Sequence, residues 1–260
     1  MDWNEVYNLG LGLFEKATAF VDEALEMKPD AQACCVLGDT LGNLGRWEEA
    51  IACYDKALEI KPNYHEAWFN RGLALDNLGR FEEEIASYDK ALKIKPDFHE
   101  GWFNRGVALG YLGRLEEAIA SFDKALEFKP DSYEAWNNRG NALGNLGRLE
   151  EAIASYDKAL EIKPDYHEAW YNRGIALVNL GRGEEAIASY DKALEIKPDY
   201  DEAFYNKACC YALHSQIDQA IQNLQQAINL NPDKYREMAK TDSDFDSVRS
   251  HTRFQALIQE

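Results

Sequence analysis

Basic residues are scarce: 28 Lys and Arg stand against 46 Asp and Glu, a net charge of −18. Such a chain lacks the cations that neutralise nucleic-acid phosphate, and anionic membrane surfaces repel it. The same charge favours solubility and a basic partner. No stretch approaches the roughly 18 apolar residues of a transmembrane helix, so neither a nucleic-acid nor a membrane role is expected. Cysteines number five, Cys34, Cys35, Cys53, Cys209 and Cys210, an odd count without framework spacing. That suits a reducing cytoplasm. Helical neighbours point about 100° apart, so the two Cys-Cys pairs read as small buried residues, not a zinc site. The opening MDWNEVYNLGLGLF lacks the basic and apolar regions of a signal peptide, and a cytoplasmic location is expected. Nucleophile-elbow, phosphate-loop, dinucleotide and zinc motifs are missing. His65, His99 and His167 recur at one spacing and do not converge on a site, and His214 and His251 stand apart. No enzyme activity, cofactor or metal is expected.

Proline is also sparse, but its placement is informative. Pro62, Pro96, Pro130, Pro164, Pro198 and Pro232 lie 34 residues apart, and Pro29 precedes Pro62 by 33. The segment EEAIASYDKALEIKPDY occurs at 150–166 and again at 184–200. With proline as position 32, six units follow: 31–64, 65–98, 99–132, 133–166, 167–200 and 201–234. Residues 1–30 form a degenerate N-terminal unit, and 235–260 break the pattern. Periods of this length signal stacked supersecondary units.

Each unit predicts two helices. In 133–166 the first runs from about Tyr133 to Leu146, and Gly147-Arg148 breaks it. The second starts around Glu150 and Glu151, whose charges suit a helix N-terminus, and ends near Lys163 before Pro164. Asp131 with Glu134 reads as a capping box, repeated as Asn63/Glu66, Asp97/Glu100, Asp165/Glu168 and Asp199/Glu202.

Five further positions carry a resemblance. Position 4 is Cys34, Trp68, Trp102, Trp136, Trp170 and Phe204; position 8 is Gly38, Gly72, Gly106, Gly140, Gly174 and Ala208. Position 20 is Ala50, Ala118, Ala152, Ala186 and Ala220, with Glu84 departing; position 24 is Tyr54, Tyr88, Phe122, Tyr156 and Tyr190, with Leu224 departing. With Ala at 27 and Pro at 32, this pattern resembles the tetratricopeptide repeat family, strongly over 31–234 and weakly over 1–30. The resemblance implies an all-α fold, a right-handed superhelical solenoid of antiparallel helix hairpins. It also implies a concave groove lined by the first helix of each hairpin. Residues 235–260, with Phe245, Val248, Phe254, Leu257 and Ile258, resemble the terminal helices that close many bacterial arrays of this kind.

The helical wheel divides the first helix independently of any family. At 100° per residue, positions 4, 8 and 11 fall within about 60° and form the core stripe. Positions 2, 6, 9 and 13 lie opposite. Position 6 is Asn70, Asn104, Asn138, Asn172 and Asn206, with Val36 departing. Position 13 includes Asn77, Asn145 and Asn179, with Asn43 in the first full unit and Tyr111 and Leu213 as exceptions. Asparagine is a mediocre helix former, but its amide offers donors and an acceptor. A ladder of such amides could pair with the backbone of an extended peptide. Some superhelical members of the family carry a comparable ladder. Asn141 stands at position 9. Position 5, Phe69, Phe103, Asn137, Tyr171 and Tyr205, flanks the stripe and is expected to give apolar pockets at both ends and a polar middle. The glutamates at position 2 edge this face, where the capping reading is preferred to a ligand role.

Arg71, Arg105, Arg139 and Arg173 occupy position 7 beside the core, where a guanidinium must be paired. Asp89, Asp123, Asp157 and Asp191 are the expected partners. Asp242, Asp244 and Asp246 imitate the start of a calcium loop, but Ser247 and Arg253 stand where Gly and Glu are required. The expected function is a scaffold that holds another protein or an extended peptide in its groove. The alternatives are a self-assembling structural array, by end-to-end stacking or by dimerisation through 1–30 with Trp3, Phe14 and Phe20 as the contact, and an adaptor that regulates a separate enzyme.

Overall fold

A helix whose core stripe is opposed by a polar face needs a partner, and a short turn supplies one in the next helix. The computed structural model describes residues 30–259, and among them all regular structure is helical. The expectations for the degenerate first unit and for Trp3, Phe14 and Phe20 lie outside the described residues. The chain forms two compact units, 1–130 and 131–260. The first holds α1 (Ala31–Asn43), α2 (Trp47–Ile60), α3 (His65–Asn77), α4 (Phe81–Ile94), α5 (His99–Tyr111) and α6 (Leu115–Phe128). The second holds α7 (Tyr133–Asn145), α8 (Leu149–Ile162), α9 (His167–Asn179), α10 (Gly183–Ile196), α11 (Asp201–Leu213) and α12 (Ile217–Leu230). It continues with α13 (Pro232–Thr241), a 3₁₀ turn (Ser243–Phe245) and α14 (Thr252–Gln259). Within each unit, successive helices pair as hairpins and each hairpin packs on the next: an all-α solenoid.

Every complete turn inside a hairpin is a Schellman closure. Gly79, at φ 67°, donates to the Asp76 carbonyl, and Arg80 donates to the Leu75 carbonyl at 3.0 Å. Gly45, Gly113, Gly147 and Gly181 repeat this left-handed geometry. Only Ser215 adopts it without being glycine among the described residues.

The helix starts correct one expectation. The N-cap residues of α3, α5, α9 and α11 are Tyr64, Phe98, Tyr166 and Tyr200, without side-chain caps. Asn63, Asp97, Asp165 and Asp199 sit one residue too early, and no capping box closes. In α7 the cap is Ser132, not Asp131. The 33-residue interval before Pro62 places Asp30 at the N-cap of α1, where its carboxylate accepts from the Ala33 amide at 2.8 Å. Elsewhere the aromatic N-caps serve packing: Phe98 meets Phe69 edge-on at 4.8 Å, and Tyr166 meets Tyr133 at 4.9 Å.

The hairpin interior rests on a glycine and a ring. A Cβ built on Gly72 would lie 2.4 Å from the Tyr88 ring, and one on Gly106 would lie 2.7 Å from Phe122. Gly38, Gly140 and Gly174 face Tyr54, Tyr156 and Tyr190 at 2.5 Å. In the last full unit the ring is replaced by Leu224, and position 8 is Ala208; both are fully buried. The position-20 alanines and the leucines at position 11 (Leu75, Leu109, Leu143, Leu177) complete a closed core. The tryptophans at position 4 are only half-buried, because each wedges at the boundary between hairpins, whereas Cys34 in the first full unit is buried. The Trp68 and Trp102 indoles donate to the Pro62 and Pro96 carbonyls at 3.1 and 2.8 Å.

The C-terminal segment continues the stack. Tyr235, Phe245, Val248, Phe254, Leu257 and Ile258 share one core with α11 and α12. Its links run at about one repeat length: Tyr205 Oη donates to Asp242 at 2.7 Å, Ser247 Oγ to the Ala212 carbonyl at 2.7 Å, and Arg253 pairs with Asp218. Arg249 donates to carbonyls of Ala239, Lys240 and Asp242, closing the end of α13.

The glycine–ring seat is testable in the third full hairpin, where no hydroxyl complicates it. Gly106→Ala is expected to cost about 1–3 kcal/mol by overpacking. Combining it with Phe122→Leu should recover much of that loss relative to additivity, as the Ala208/Leu224 pair implies. Urea midpoints of the parent, both single variants and the double variant give the coupling; additive losses would contradict it.

Candidate functional site

The first helices present their polar face on the side away from the ring seats. Asn70, Asn104, Asn138, Asn172 and Asn206 are half-buried on it. Three of their amides bond back along the stack. Asn70 Nδ2 donates to Asp39 at 2.8 Å, Asn172 Nδ2 to Asn137 Oδ1 at 3.2 Å, and Asn206 Nδ2 to the Tyr171 hydroxyl at 3.0 Å. Each bond links one first helix to the previous one. Asn70 Nδ2 also reaches the Cys35 sulfur at 4.0 Å, and an amide used in this way keeps its carbonyl lone pairs. The position-13 residues Asn77, Asn145 and Asn179 are exposed. Asn77 also donates to its own Leu73 carbonyl at 2.9 Å. Asn141 is half-buried and accepts from the Tyr156 hydroxyl at 2.9 Å.

Position 5 behaves differently from expectation. Phe69, Phe103 and Tyr171 are half-buried, packed on their own hairpin's ring at 5.7, 6.0 and 5.9 Å. Asn137 and Tyr205 are buried, at 4% and 3% exposure. Tyr205 lies beneath the C-terminal segment, stacked on Tyr235 at 5.0 Å. The reason is angular: position 5 stands about 60° from the core stripe, so these side chains pack inward and do not open as end pockets. The large exposed apolar groups on this face are instead Val36, Tyr111 and Leu213, the three departures from asparagine.

The position-7 cations are structural clasps. Arg71 Nε donates to Asp55 on the preceding α2 at 2.7 Å, and its other arm reaches Ser87 on α4 at 2.7 Å. Arg105 joins Asp89 and Ser121 at the same distances, and Arg173 joins Asp157 and Ser189 at 2.7 and 2.8 Å. Arg139 reaches Ser155 at 2.7 Å. Lys207 pairs with Asp191. Each guanidinium also lies 5.8–6.0 Å from the tryptophan three residues before it. Asp89 and Asp157 were among the expected partners; Asp55, which holds Arg71, was not, and Asp191 pairs with Lys207. The buried serines were missed, although Ser recurs at position 23 in four successive units.

One unit carries an additional polar cluster. In 133–166 a Cβ on Gly144 (position 12) would lie 3.8 Å from the Tyr156 hydroxyl and 3.9 Å from Ala152 at position 20, so positions 12, 20 and 24 converge. In 65–98 those positions are Asp76, Glu84 and Tyr88. Asp76 is exposed, whereas Glu84 is 2% exposed and Tyr88 fully buried. Tyr54 and Tyr156 send their hydroxyls to Asp39 and Asn141 at position 9. Leu73 stands there in this unit, and the Tyr88 hydroxyl and the Glu84 carboxyl are left with each other as hydrogen-bond partners. Burial, then the charge of Asp76, pushes the Glu84 carboxyl up to about 8.

Cys209, Asp242 and Asp244 also gather within 4.8 Å of one another. Asp242 there accepts from Tyr205 and from the Asp244 amide at 3.0 Å, bonds that fasten the C-terminal segment across α11. All five cysteines are free and buried. Among the described residues, no helix is long and apolar enough to cross a membrane.

Stacked hairpins with a polar outer face on the first helices define a helical-repeat solenoid. Tetratricopeptide repeat profiles match residues 35–97, 103–167, 167–200 and 189–222, and the chain belongs to that family. Its fold is similar to YrrB, described as a TPR protein with an unusual peptide-binding site. YrrB has 28% identity and TM-score 0.64, over 74% of this chain and 98% of that one. MamA is similar at 26% identity and TM-score 0.61, over 63% and 95%. Pseudomonas aeruginosa PilF shares the fold at 20% identity and TM-score 0.66, over 84% and 97%. No curated protein sequence matches the chain significantly.

Glu84 gives a pH signature. Its folded carboxyl titrates near 8, whereas an unfolded glutamate titrates near 4.3. The folded state therefore binds the proton more tightly. The associated stability is fully present below the unfolded value and is lost as pH rises towards 8. Glu84→Ala, the residue of the other units, is expected to raise stability by about 1–3 kcal/mol at pH 8.5. The gain should shrink at pH 5, as read from urea midpoints. A gain that is the same at both pH values would count against the buried proton.

Proposed function

We propose that the chain is a non-enzymatic protein-interaction scaffold that holds an extended peptide segment of a partner along the first helices. The observation that carries this reading is the amide stripe: half-buried asparagines at position 6 beside exposed asparagines at position 13. Amides at this spacing can bond a peptide backbone with little regard to its side chains. The family assignment supports a protein partner, and the peptide-binding site named for YrrB supports an extended one. The excess of carboxylates supports a partner of basic character. The position-7 arginines are held by Asp and Ser and are not assigned to the ligand.

The test begins with a peptide selected from a random display library against the whole chain. Because the position-6 amides also brace neighbouring helices, the decisive variant is Asn145→Ala with Asn179→Ala, both exposed. The double variant should keep its melting temperature and lose about tenfold or more in affinity, roughly 1.4 kcal/mol. The triple variant Asn104→Ala, Asn138→Ala, Asn172→Ala should lose at least as much. Unchanged affinity in both would remove the stripe from the binding site.

A further inference from the structure

A cavity of about 150 Å³ opens on the first-helix face of the compact unit 131–260, between α9, α11 and the 3₁₀ turn. Asn179 and Asn206, both members of the amide stripe, stand on its wall. Its apolar side is particular to this place. Ile175 and Val178 occupy positions 9 and 12 of unit 167–200, three residues apart and therefore on one side of α9. No other full unit has a branched aliphatic at both positions: the pairs are Asp39/Gly42, Leu73/Asp76, Val107/Gly110, Asn141/Gly144 and Cys209/Ala212. Cavities of this order admit a molecule the size of benzene, so there is room for one side chain.

The facing side is polar, and its donors are spent. The Asn206 amide gives its N–H groups to the hydroxyls of Tyr171, at 3.0 Å, and Tyr190, and keeps its carbonyl lone pairs. The Cys209 thiol is directed to Asp242. Asp244 completes the wall with a half-buried carboxylate that comes from outside the repeats. Among the described residues no Lys or Arg forms an ion pair with Asp242 or Asp244; Arg249 is held by the Asp246 carboxylate and by three main-chain carbonyls. Burial, then the charge of Asp242, holds the Asp244 carboxyl above the ordinary carboxylate value. The cavity therefore joins an aliphatic wall to acceptors that have no counter-charge.

We propose that this cavity receives one lysine side chain of the captured segment. The stem lies against Ile175 and Val178, and the ammonium meets the Asp244 carboxylate and the Asn206 carbonyl. The assignment rests on the reading of this face as a peptide-binding surface, and it names the side chain selected at one place along the stripe. An anionic side chain would meet two uncompensated carboxylates, and a purely apolar one would desolvate Asp244 without a partner. A guanidinium is planar and carries five donors, more than two acceptor groups in so small a cavity can serve. The compact ammonium carries three.

The test uses the full chain, labelled at amides and at Ile and Val methyl groups, with EDTA present to keep metal ions off Cys209, Asp242 and Asp244. The probes are the peptides acetyl-Gly-Ser-Gly-Ser-X-Ser-Gly-Ser-Gly-amide, with lysine, norleucine or arginine at X. The lysine peptide is expected to shift the Ile175 and Val178 methyl signals and the Asp244 amide, and to bind about tenfold more tightly than the norleucine peptide. Asp244→Asn, close in shape, should keep the melting temperature and erase that preference. Equal affinity for lysine and norleucine, tighter binding of the arginine peptide, no shift at Ile175, or a lysine preference that survives in Asp244→Asn would overturn the proposal. The stripe reads out separately: Asn145→Ala, away from the cavity, should weaken all three peptides together and keep their order. Failure of that variant would count against backbone capture while the lysine preference stands, and loss of the preference alone would leave the stripe standing.

Discussion

The contact on which the hairpins depend is an aromatic ring seated on a glycine. Where a Cβ would stand on Gly38, Gly72, Gly106, Gly140 or Gly174, ring carbons already lie 2.4–2.7 Å away. That is well inside ordinary contact, so only glycine lets the two helices of a hairpin approach so closely. Glycine within a helix costs roughly 0.5–1 kcal/mol relative to alanine, and the closer packing of a large ring offsets it. The approach also brings the alanines at position 20 into full burial. Position 8 and position 24 therefore form one choice. Ala208 with Leu224 is the other solution to the same spacing, so the last full unit departs at both positions together.

The arginine clasp then joins one hairpin to the next. Its first helix stands between two second helices, and a single guanidinium bonds an aspartate on one and a serine on the other. The serine is buried and donates onward to a carbonyl of its own helix, at 2.9 Å for Ser87 to Glu83. Its lone pairs therefore face the arginine. Tryptophan shields one side of the guanidinium, and the aspartate remains about half exposed. Such a cation, held on several sides, is a poor candidate for capturing a partner. The outer face of the first helices is left to amides, glutamates and a few apolar departures.

Periodicity made much of this readable. The proline interval, the core stripe and the Arg–Asp pairs all follow from residues that recur at one spacing, and a helical wheel converts spacing into direction. Features that depend on a shift of one residue did not follow. Asn63 and Asp165 look like caps, but the helix begins one position later, at an aromatic that packs against the hairpin. Position 5 looked like groove because it neighbours position 9 on the wheel, yet it also neighbours the core, and Asn137 and Tyr205 turned inward. The convergence of positions 12, 20 and 24 was illegible, because it joins two helices whose relative rotation is set by the glycine–ring seat. Glu84 was visible as a departure, but nothing in the sequence placed Asp76 beside it.

Glu84 also shows why departures inform more than copies in a chain of this kind. An asparagine repeated in every unit is consistent with a peptide-backbone ligand, because a backbone repeats as well. It cannot distinguish one side chain from another. Selectivity for a side chain needs a position where the units differ. In 65–98 the difference lowers stability: a buried carboxyl with only the Tyr88 hydroxyl beside it costs about 1–3 kcal/mol, and alanine would fit there, as it does at Ala118 and Ala152. Core rules are broken most often where a site is built.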